Sequence, residues 1–593
     1  MPKKSLLKRF LIWRVKHISH KQFILMMSLL VGVGSGLIAA FIKNTALSLG
    51  SFLRNSTESF SWHHYTLLVL PLIGILATVL WNKYIVRKPE SNGFPTILYA
   101  IAKRSGIMKR HHMFSSIISS ILTAGFGGSI GLEAPAASSA SSLSSNFARV
   151  LHLNFKDRML LIGCATAGTI ASIFNAPIAA LILAMEVLML DLTMASIIPL
   201  LIASVSATIT SRLIIGDALI LHIENVDTFN IANMPFYILL GVCCGLLSVL
   251  FSKVFYKTTT LLKKIKHKIS RAIWGGLFLG ILLFLIPPLF GEGFSTINLL
   301  LADKGQEVIT CSYIESICTT ETALFVLIFI MLLFKIIATS VTVGVGGIGG
   351  VFAPSLFLGA GLGYVFAKFI NHFFWIELSV SNFSLVSMAG LIAGVLHAPL
   401  TAIFLIAEIT GGYDLFVPLM LVATISFGFT KYFVPNSIYT AELAKRGELI
   451  TNDKDKNALM MLNIDRVIET DFIKISTEMT LGEMLRKGVS KSSRNIFPVV
   501  DEAEQFLGIV LLDDVRSVMF DQSLYENTTV SLFMKSPPNI IFYNDSMETI
   551  MEKFKGSGAW NLPVIKNQKY LGFISKSKLL TAYRNKLIEL TNS

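Results

Sequence analysis

From Gln22 to about residue 430 the chain is a succession of apolar runs, many of bilayer length, and nothing else in it constrains the fold as strongly. The first, Gln22 to Ile42, carries no charge; others cover roughly 65–81, 113–148, 159–190, 194–211, 235–252, 272–290, 323–343, 351–367, 384–407 and 415–430. Several are broken by Gly or Pro, and several are too short or too long for one simple span. Irregular backbone at membrane depth survives only where protein buries it or water reaches it. Broken helices therefore point to a transport pathway rather than a passive anchor. A mean hydropathy of +0.65 agrees that lipid is the main solvent.

The net charge of +14 would suggest nucleic acid in a soluble protein. Here the cations cluster in short hydrophilic segments: Lys3, Lys4, Lys8, Arg9, Arg14, Lys16, Lys103, Arg104, Lys109, Arg110 and Lys263–Arg271. That is the pattern of cytoplasmic loops in a lipid-embedded chain, with no nucleic-acid partner. The basic N-terminus lacks a small-residue cleavage site before its first apolar run, so a removed signal peptide is not expected. Cys164, Cys243 and Cys244 read as small core residues, whereas Cys311 and Cys318 flank a polar loop and could pair. No Cys/His constellation has metal-site spacing.

Two Gly-rich stretches mark the principal breaks. Gly127-Gly128-Ser129-Ile130-Gly131-Leu132-Glu133-Ala134-Pro135 sets one carboxylate among small residues. Gly346-Gly347-Ile348-Gly349-Gly350-Val351-Phe352-Ala353-Pro354 repeats it with Phe352 where Glu133 stood. Both suggest helices that begin inside the membrane, where bare N–H groups and the positive end of the dipole attract anions. A second match, Phe174-Asn175-Ala176-Pro177 through Glu186 against Leu396-His397-Ala398-Pro399 through Glu408, is offset by 222 residues; the Ala-Pro turns are 219 apart. Internal symmetry with breaks at corresponding positions points to a midplane site. Gly344-Val345-Gly346-Gly347-Ile348-Gly349 also satisfies G-x-G-x-x-G, but it follows a membrane-length run without βαβ context, so a dinucleotide site is rejected.

After Tyr439 the composition turns polar. Ile496-Phe497-Pro498-Val499-Val500 with Phe506-Leu507-Gly508-Ile509-Val510 recurs as Asn561-Leu562-Pro563-Val564-Ile565 with Tyr570-Leu571-Gly572-Phe573-Ile574. Each predicts two strands and then a helix, over Leu512–Phe520 and Lys576–Arg584.

Taken together these residues resemble the CLC family of chloride channels and chloride/proton exchangers, followed by a pair of CBS domains. The family signatures read here as Ser91-Asn92-Gly93-Phe94-Pro95, Gly131-Leu132-Glu133-Ala134-Pro135, Gly350-Val351-Phe352-Ala353-Pro354 and Ser437-Ile438-Tyr439. The resemblance implies a polytopic α-helical membrane protein of two inverted repeats with broken helices, followed by a cytosolic α/β CBS pair. Its divisions are a basic segment 1–21, repeats 22–220 and 221–448, a linker 449–467, and CBS domains 468–525 and 526–593. It implies a homodimer in the plasma (inner) membrane with both termini cytoplasmic. Anion contacts would come from Asn92, Gly131, Val351, Phe352 and the Tyr439 hydroxyl. Glu133 would be the gate, occupying the path as a carboxylate and vacating it when protonated.

Several positions depart from the family pattern. Asn92 stands where chloride-selective members carry Ser, leaving fluoride or nitrate open as substrates. Leu132 replaces the usual cation, and the mouth is expected to be less positive for it. Val187 falls where proton-coupled members place an internal glutamate, and a valine carries no proton. Glu186 reads as structural or mouth-lining. In the CBS pair, Asp514 and Ser575 each supply half of an adenine-nucleotide motif, so neither site is complete. The leading expectation is passive, gated chloride conduction with no cofactor required; chloride/proton exchange is the rival. No paired His/Asp cluster supports a membrane enzyme, and a cation transporter would bring several converging acids.

Overall fold

A computed structural model describes residues 6–58, 63–87, 93–189, 193–216, 221, 223, 227–310, 321–374, 376–445, 455, 458–459 and 462–591. Asn92, Cys311 and Cys318 lie outside the described residues, as does part of the expected linker. The chain forms two units, Met1–Leu449 and Ile450–Ser593.

The first unit is helical. Its helices are α1 (Leu6–His17), α2 (His20–Glu58), α3 (His63–Leu80), α4 (Phe94–Lys103), α5 (His112–Gly125), α6 (Glu133–Val150), α7 (Phe155–Phe174), α8 (Pro177–Leu188) and α9 (Met194–Ile215). They continue as α10 (Met234–Lys263), α11 (Lys268–Leu285), α12 (Phe294–Leu301), α13 (Gly305–Thr310), α14 (Glu321–Val345), α15 (Phe352–Phe374), α16 (Val380–Leu396), α17 (Pro399–Thr410) and α18 (Phe416–Phe433). Among the described residues nine helical spans are long and apolar enough to cross a membrane, while α8, α16 and α17 are shorter apolar helices. The run expected at 113–148 is two helices, because the Gly-rich turn ends α5 at Gly125 and restarts the chain at Glu133.

The duplication is visible in local geometry. α7 stops at Asn175 (φ 57°) and α16 at His397 (φ 58°), both left-handed. Each is followed by Ala and then a Pro that opens the next helix, α8 or α17, where the missing N–H costs nothing. Asn154 caps α7 and Ser379 caps α16, each accepting a backbone N–H three residues on. Thus α6–α9 correspond to α15–α18.

The two halves are clasped by their own glutamates. Glu186, near the end of α8, accepts the Leu400 N–H (3.1 Å), the Thr401 N–H (2.8 Å) and the Thr401 hydroxyl (2.6 Å) at the start of α17. Glu408, near the end of α17, accepts the Ile178 and Ala179 N–H groups (2.9 and 2.8 Å) at the start of α8. Each C-terminal end meets the other's N-terminal end, so the helices run antiparallel and the repeats are inverted. Elsewhere small residues permit close packing: a Cβ on Gly359 or Gly363 of α15 would run into the α16 backbone at Met388 or Phe383.

Helix directions assign the two sides of this unit. The His20 ring bridges Asp157 at 3.0 Å, holding the starts of α2 and α7 on one side. Arg158 reaches the Ser105 carbonyl at 2.8 Å, which brings the loop after α4 to that side as well. α2 crosses away from this side, and α3 returns to it, ending in a π-helical turn, Trp81–Val86.

The second unit contains β1 (Ile468–Glu469), β2 (Ile496–Val500), β3 (Phe506–Leu511), β4 (Ile541–Phe542), β5 (Asn561–Lys566) and β6 (Lys569–Ser575). β2 and β3 form one antiparallel pair; the other sheet has the order β1-β6-β5-β4. Both hairpins shift register at the same place, Val499/Val500 and Val564/Ile565. They meet edge to edge, the Phe506 N–H donating to the Gln568 carbonyl and the Tyr570 N–H to that of Glu504 (3.1 and 3.2 Å). The helix expected over Leu512–Phe520 covers only Leu512–Val515, whereas the one after β6 runs to Thr591. Beyond Val515 the chain continues as turns, the Val518 and Met519 N–H groups both donating to the Val515 carbonyl, and the Tyr525 hydroxyl donates to the Met519 carbonyl at 2.8 Å.

Candidate functional site

The two Gly-rich turns, remote in sequence, are joined directly. The Gly131 N–H donates to the Gly350 carbonyl (2.9 Å) and the Gly350 N–H to the Gly131 carbonyl (2.8 Å). Both turns are built alike: the Gly128 N–H donates to the Thr123 carbonyl and the Gly347 N–H to the Thr342 carbonyl (2.8 and 2.9 Å). A third helix start arrives beside them. Gly93, at φ 75°, comes so near Ala134 that a Cβ there would sit 2.7 Å from the alanine methyl; one on Gly350 would sit 2.9 Å from the same methyl. The N-terminal ends of α4, α6 and α15 therefore converge around Ala134, each with a first turn of amides that no carbonyl of its own helix can satisfy.

Glu133 lies within this convergence and is fully buried. Neither carboxylate oxygen completes a hydrogen bond, although the Ala353 amide lies within its electrostatic reach. One oxygen rests so close to Gly131 that any side chain at 131 would collide with it. Tyr439 is also buried, with its hydroxyl unpartnered, and its ring packs against Phe94 at 4.7 Å between centroids. The Val351 amide and Glu133 both act on that hydroxyl. Phe352, fully buried, packs on Phe174 at 5.0 Å. Glu133, Val351, Phe352 and Tyr439 are thus assembled in one place. Gly131 enters differently: its amide is committed to the bridge, so it links the turns rather than offering a donor to an anion.

From Tyr439 and Val351 a cavity of about 460 Å³ opens between α3, α10, α11 and the Gly346–Val351 turn. Lys83, Lys263, Lys268, Arg271 and Lys445 line it against a single acid, Glu442, and the end of α3 places it on the His20 side. Such a mouth concentrates anions. Neutralising Lys263, Lys268 and Arg271 together is expected to slow anion flux from this side roughly two- to tenfold at low ionic strength. The effect should fade in concentrated salt, where screening removes steering; stopped-flow flux at two salt concentrations checks both.

Sequence reasoning missed three charged residues. Glu292, in the loop before α12, accepts the Leu132 N–H at 3.0 Å. Lys335 of α14, fully buried, donates to the Leu289 and Gly291 carbonyls (3.2 and 3.0 Å) and stands 4.6 Å from the centre of the Phe357 ring. Lys43 of α2 lies within electrostatic reach of both Glu133 and Glu292. Lys43 thus brings a positive charge from a different helix to the neighbourhood of Glu133, the residue after Leu132. Only Lys335 carried a usable signal, as a lone cation inside a long apolar run.

The remaining expectations fall outside this centre. Val187 is buried in α8, next to the clasping Glu186. Asp514 is bound by Lys535 at 2.7 Å, and the Ser575 hydroxyl donates to Glu469 at 2.6 Å, so both nucleotide candidates already have protein partners. Cys164, Cys243 and Cys244 are free thiols.

The family model for voltage gated chloride channels matches residues 73–431, and the CBS domain model matches 464–521 and 530–585. Chloride channel protein CLC-f of Arabidopsis thaliana is 25% identical, over 94% of this chain and 79% of its own length. A slow cyanobacterial Cl⁻/H⁺ antiporter superposes with a TM-score of 0.63 at 19% identity, over 71% of this chain and 97% of its own. A CLC-type fluoride/proton antiporter gives 0.57 at 22% identity, over 71% and 98%. At those identities the solved structures speak for the fold alone.

Proposed function

Because the chain belongs to the voltage-gated chloride channel (CLC) family, whose members carry anions across membranes, we propose that it conducts chloride passively through a path gated by Glu133. The observation that carries this reading is the paired hydrogen bonding of Gly131 with Gly350, which sets the starts of α6 and α15 side by side at a buried, unpartnered carboxylate. A small anion held there would meet the Val351 and Phe352 amides and the Tyr439 hydroxyl. These are neutral donors, which bind weakly enough to release. An ionised Glu133 competes for the same donors; a protonated one does not. Val187 supports passive conduction, since no proton acceptor stands at that position. The reading includes a homodimer with one path per subunit, the basic vestibule facing the cytoplasm and both termini on that side. Asn92 bears on the choice among chloride, fluoride and nitrate, and adenine nucleotide at the CBS pair belongs to the same reading.

One observation favours proton-coupled exchange instead: Glu292 stands beside the gate and supplies a second acid. Reversal potentials measured on purified protein in planar bilayers separate the two. Passive conduction predicts the chloride equilibrium potential whatever the pH gradient. A reversal potential that moves with the proton gradient would establish exchange.

A further inference from the structure

Glu133 is solitary in sequence but not in space. The loop Pro287–Gly293 brings Glu292 against the N-cap of α6, where its Oε1 holds the N–H of Leu132, the residue immediately before the gate. The loop is itself pinned, since the buried Lys335 ammonium holds two of its carbonyls, Leu289 and Gly291. Three charged groups face Glu292: Glu133 from α6, Lys43 from α2 and Lys335 from α14. Glu133 faces Glu292, Lys43 and the Tyr439 hydroxyl.

The cluster sits on the side of the gate away from the vestibule. α11 carries the chain from Lys268, at the vestibule, to Leu285, roughly 26 Å along its axis, just before the Glu292 loop. Lys43 likewise stands roughly 35 Å along α2 from His20. Glu292 keeps partial exposure to solvent, whereas Glu133 has none.

We infer that Glu292 is a positioning residue of the gate, titrating with Glu133 as one carboxyl pair, with Lys43 supplying the positive charge that position 132 lacks. This rests on the reading of Glu133 as the gate and names what regulates it. When Glu292 is ionised its charge opposes ionisation of Glu133 and favours the neutral, open form; Lys43 acts in the opposite sense. Two carboxyls coupled in this way release their protons in two steps spread over a wider pH range than a single acid. The exchange needs nothing but protons: each leaves water on the outer side, joins a carboxylate oxygen, and returns the same way.

The test is the pH profile of chloride efflux from proteoliposomes for Glu292→Gln, Lys43→Met, Glu292→Asp and Glu133→Gln. Gln can still accept the Leu132 N–H, so Glu292→Gln removes charge and leaves the anchor. Its profile should narrow to that of a single acid and move about one pH unit or more toward acid. Lys43→Met should move the profile toward alkaline pH, and Glu292→Asp should stay broad; a loss of anchoring alone would not produce opposite displacements. If Glu292→Gln and Lys43→Met both keep the wild-type midpoint while Glu133→Gln flattens the profile, this inference falls and the gate reading stands. If Glu133→Gln keeps the wild-type response, the gate reading falls. Should Glu292→Gln not fold, Lys43→Met and Glu292→Asp decide the matter by the same criteria.

Discussion

Replacing Glu133 with alanine is expected to leave chloride flux running and to erase its response to pH. If Glu133 is the gate, acidification would neutralise a carboxylate that competes with the anion for the amides at the start of α15. Flux should therefore rise as pH falls, by about tenfold per unit on the limb where a single protonation controls opening. Alanine removes both the competitor and the proton, so the ratio of fluxes at acid and neutral pH should collapse to within about twofold. Phe352 occupies the equivalent repeat position and cannot replace the carboxylate, and Glu292, held on the Leu132 N–H, acts on the path only through Glu133 on this reading. Efflux from proteoliposomes followed with a chloride electrode between pH 4.5 and 7.5 reads the result. An alanine variant with the native pH response would remove Glu133 from the gate.

The second large effect concerns stability. Glu186→Ala leaves the Leu400 and Thr401 N–H groups without an acceptor at the head of α17. Leu400 is half exposed and Thr401 buried, so one buried, unsatisfied donor sets the scale and the variant should lose about 1–3 kcal/mol. Glu408→Ala should cost less: Glu186 accepts a third hydrogen bond from the Thr401 hydroxyl, whereas Ala179, at the matching repeat position, offers none. Thermal unfolding of purified protein in detergent ranks the two. Equal midpoints for both variants and the native chain would mean that these caps do not hold the repeats together.

The architecture was legible because lipid leaves few options. Apolar length, glycine breaks and one repeat offset gave the helices, the duplication and the two turns that the Gly131–Gly350 hydrogen bonds join. What stayed hidden came from residues whose meaning depends on a partner. Glu186 and Glu408 could be matched as repeat equivalents, but not as caps on each other's helices, because the 3.6-residue period of a helix says nothing about its neighbour's end. Glu292 and Lys43 sit in unremarkable local sequence, and only the approach of α2 and the Pro287–Gly293 loop to α6 makes them part of the centre. Of the five vestibule cations, Lys263, Lys268 and Arg271 belong to one basic stretch visible in the sequence, and only the fold adds Lys83 and Lys445 to it. In the second unit, strand alternation located both hairpins, but the first helix was overextended, because apolar spacing over 512–520 does not distinguish a helix from the succession of turns that follows Val515.

The reciprocal bonds between Gly131 and Gly350 leave little freedom to the backbone where the two turns meet. Rocking one repeat against the other would have to rupture both of these amide–carbonyl pairs. A swinging side chain involves no such rupture. On the reading of Glu133 as the gate, opening would follow the rotation and protonation of that side chain, and a covalent staple across the two halves would be expected to leave the flux nearly untouched.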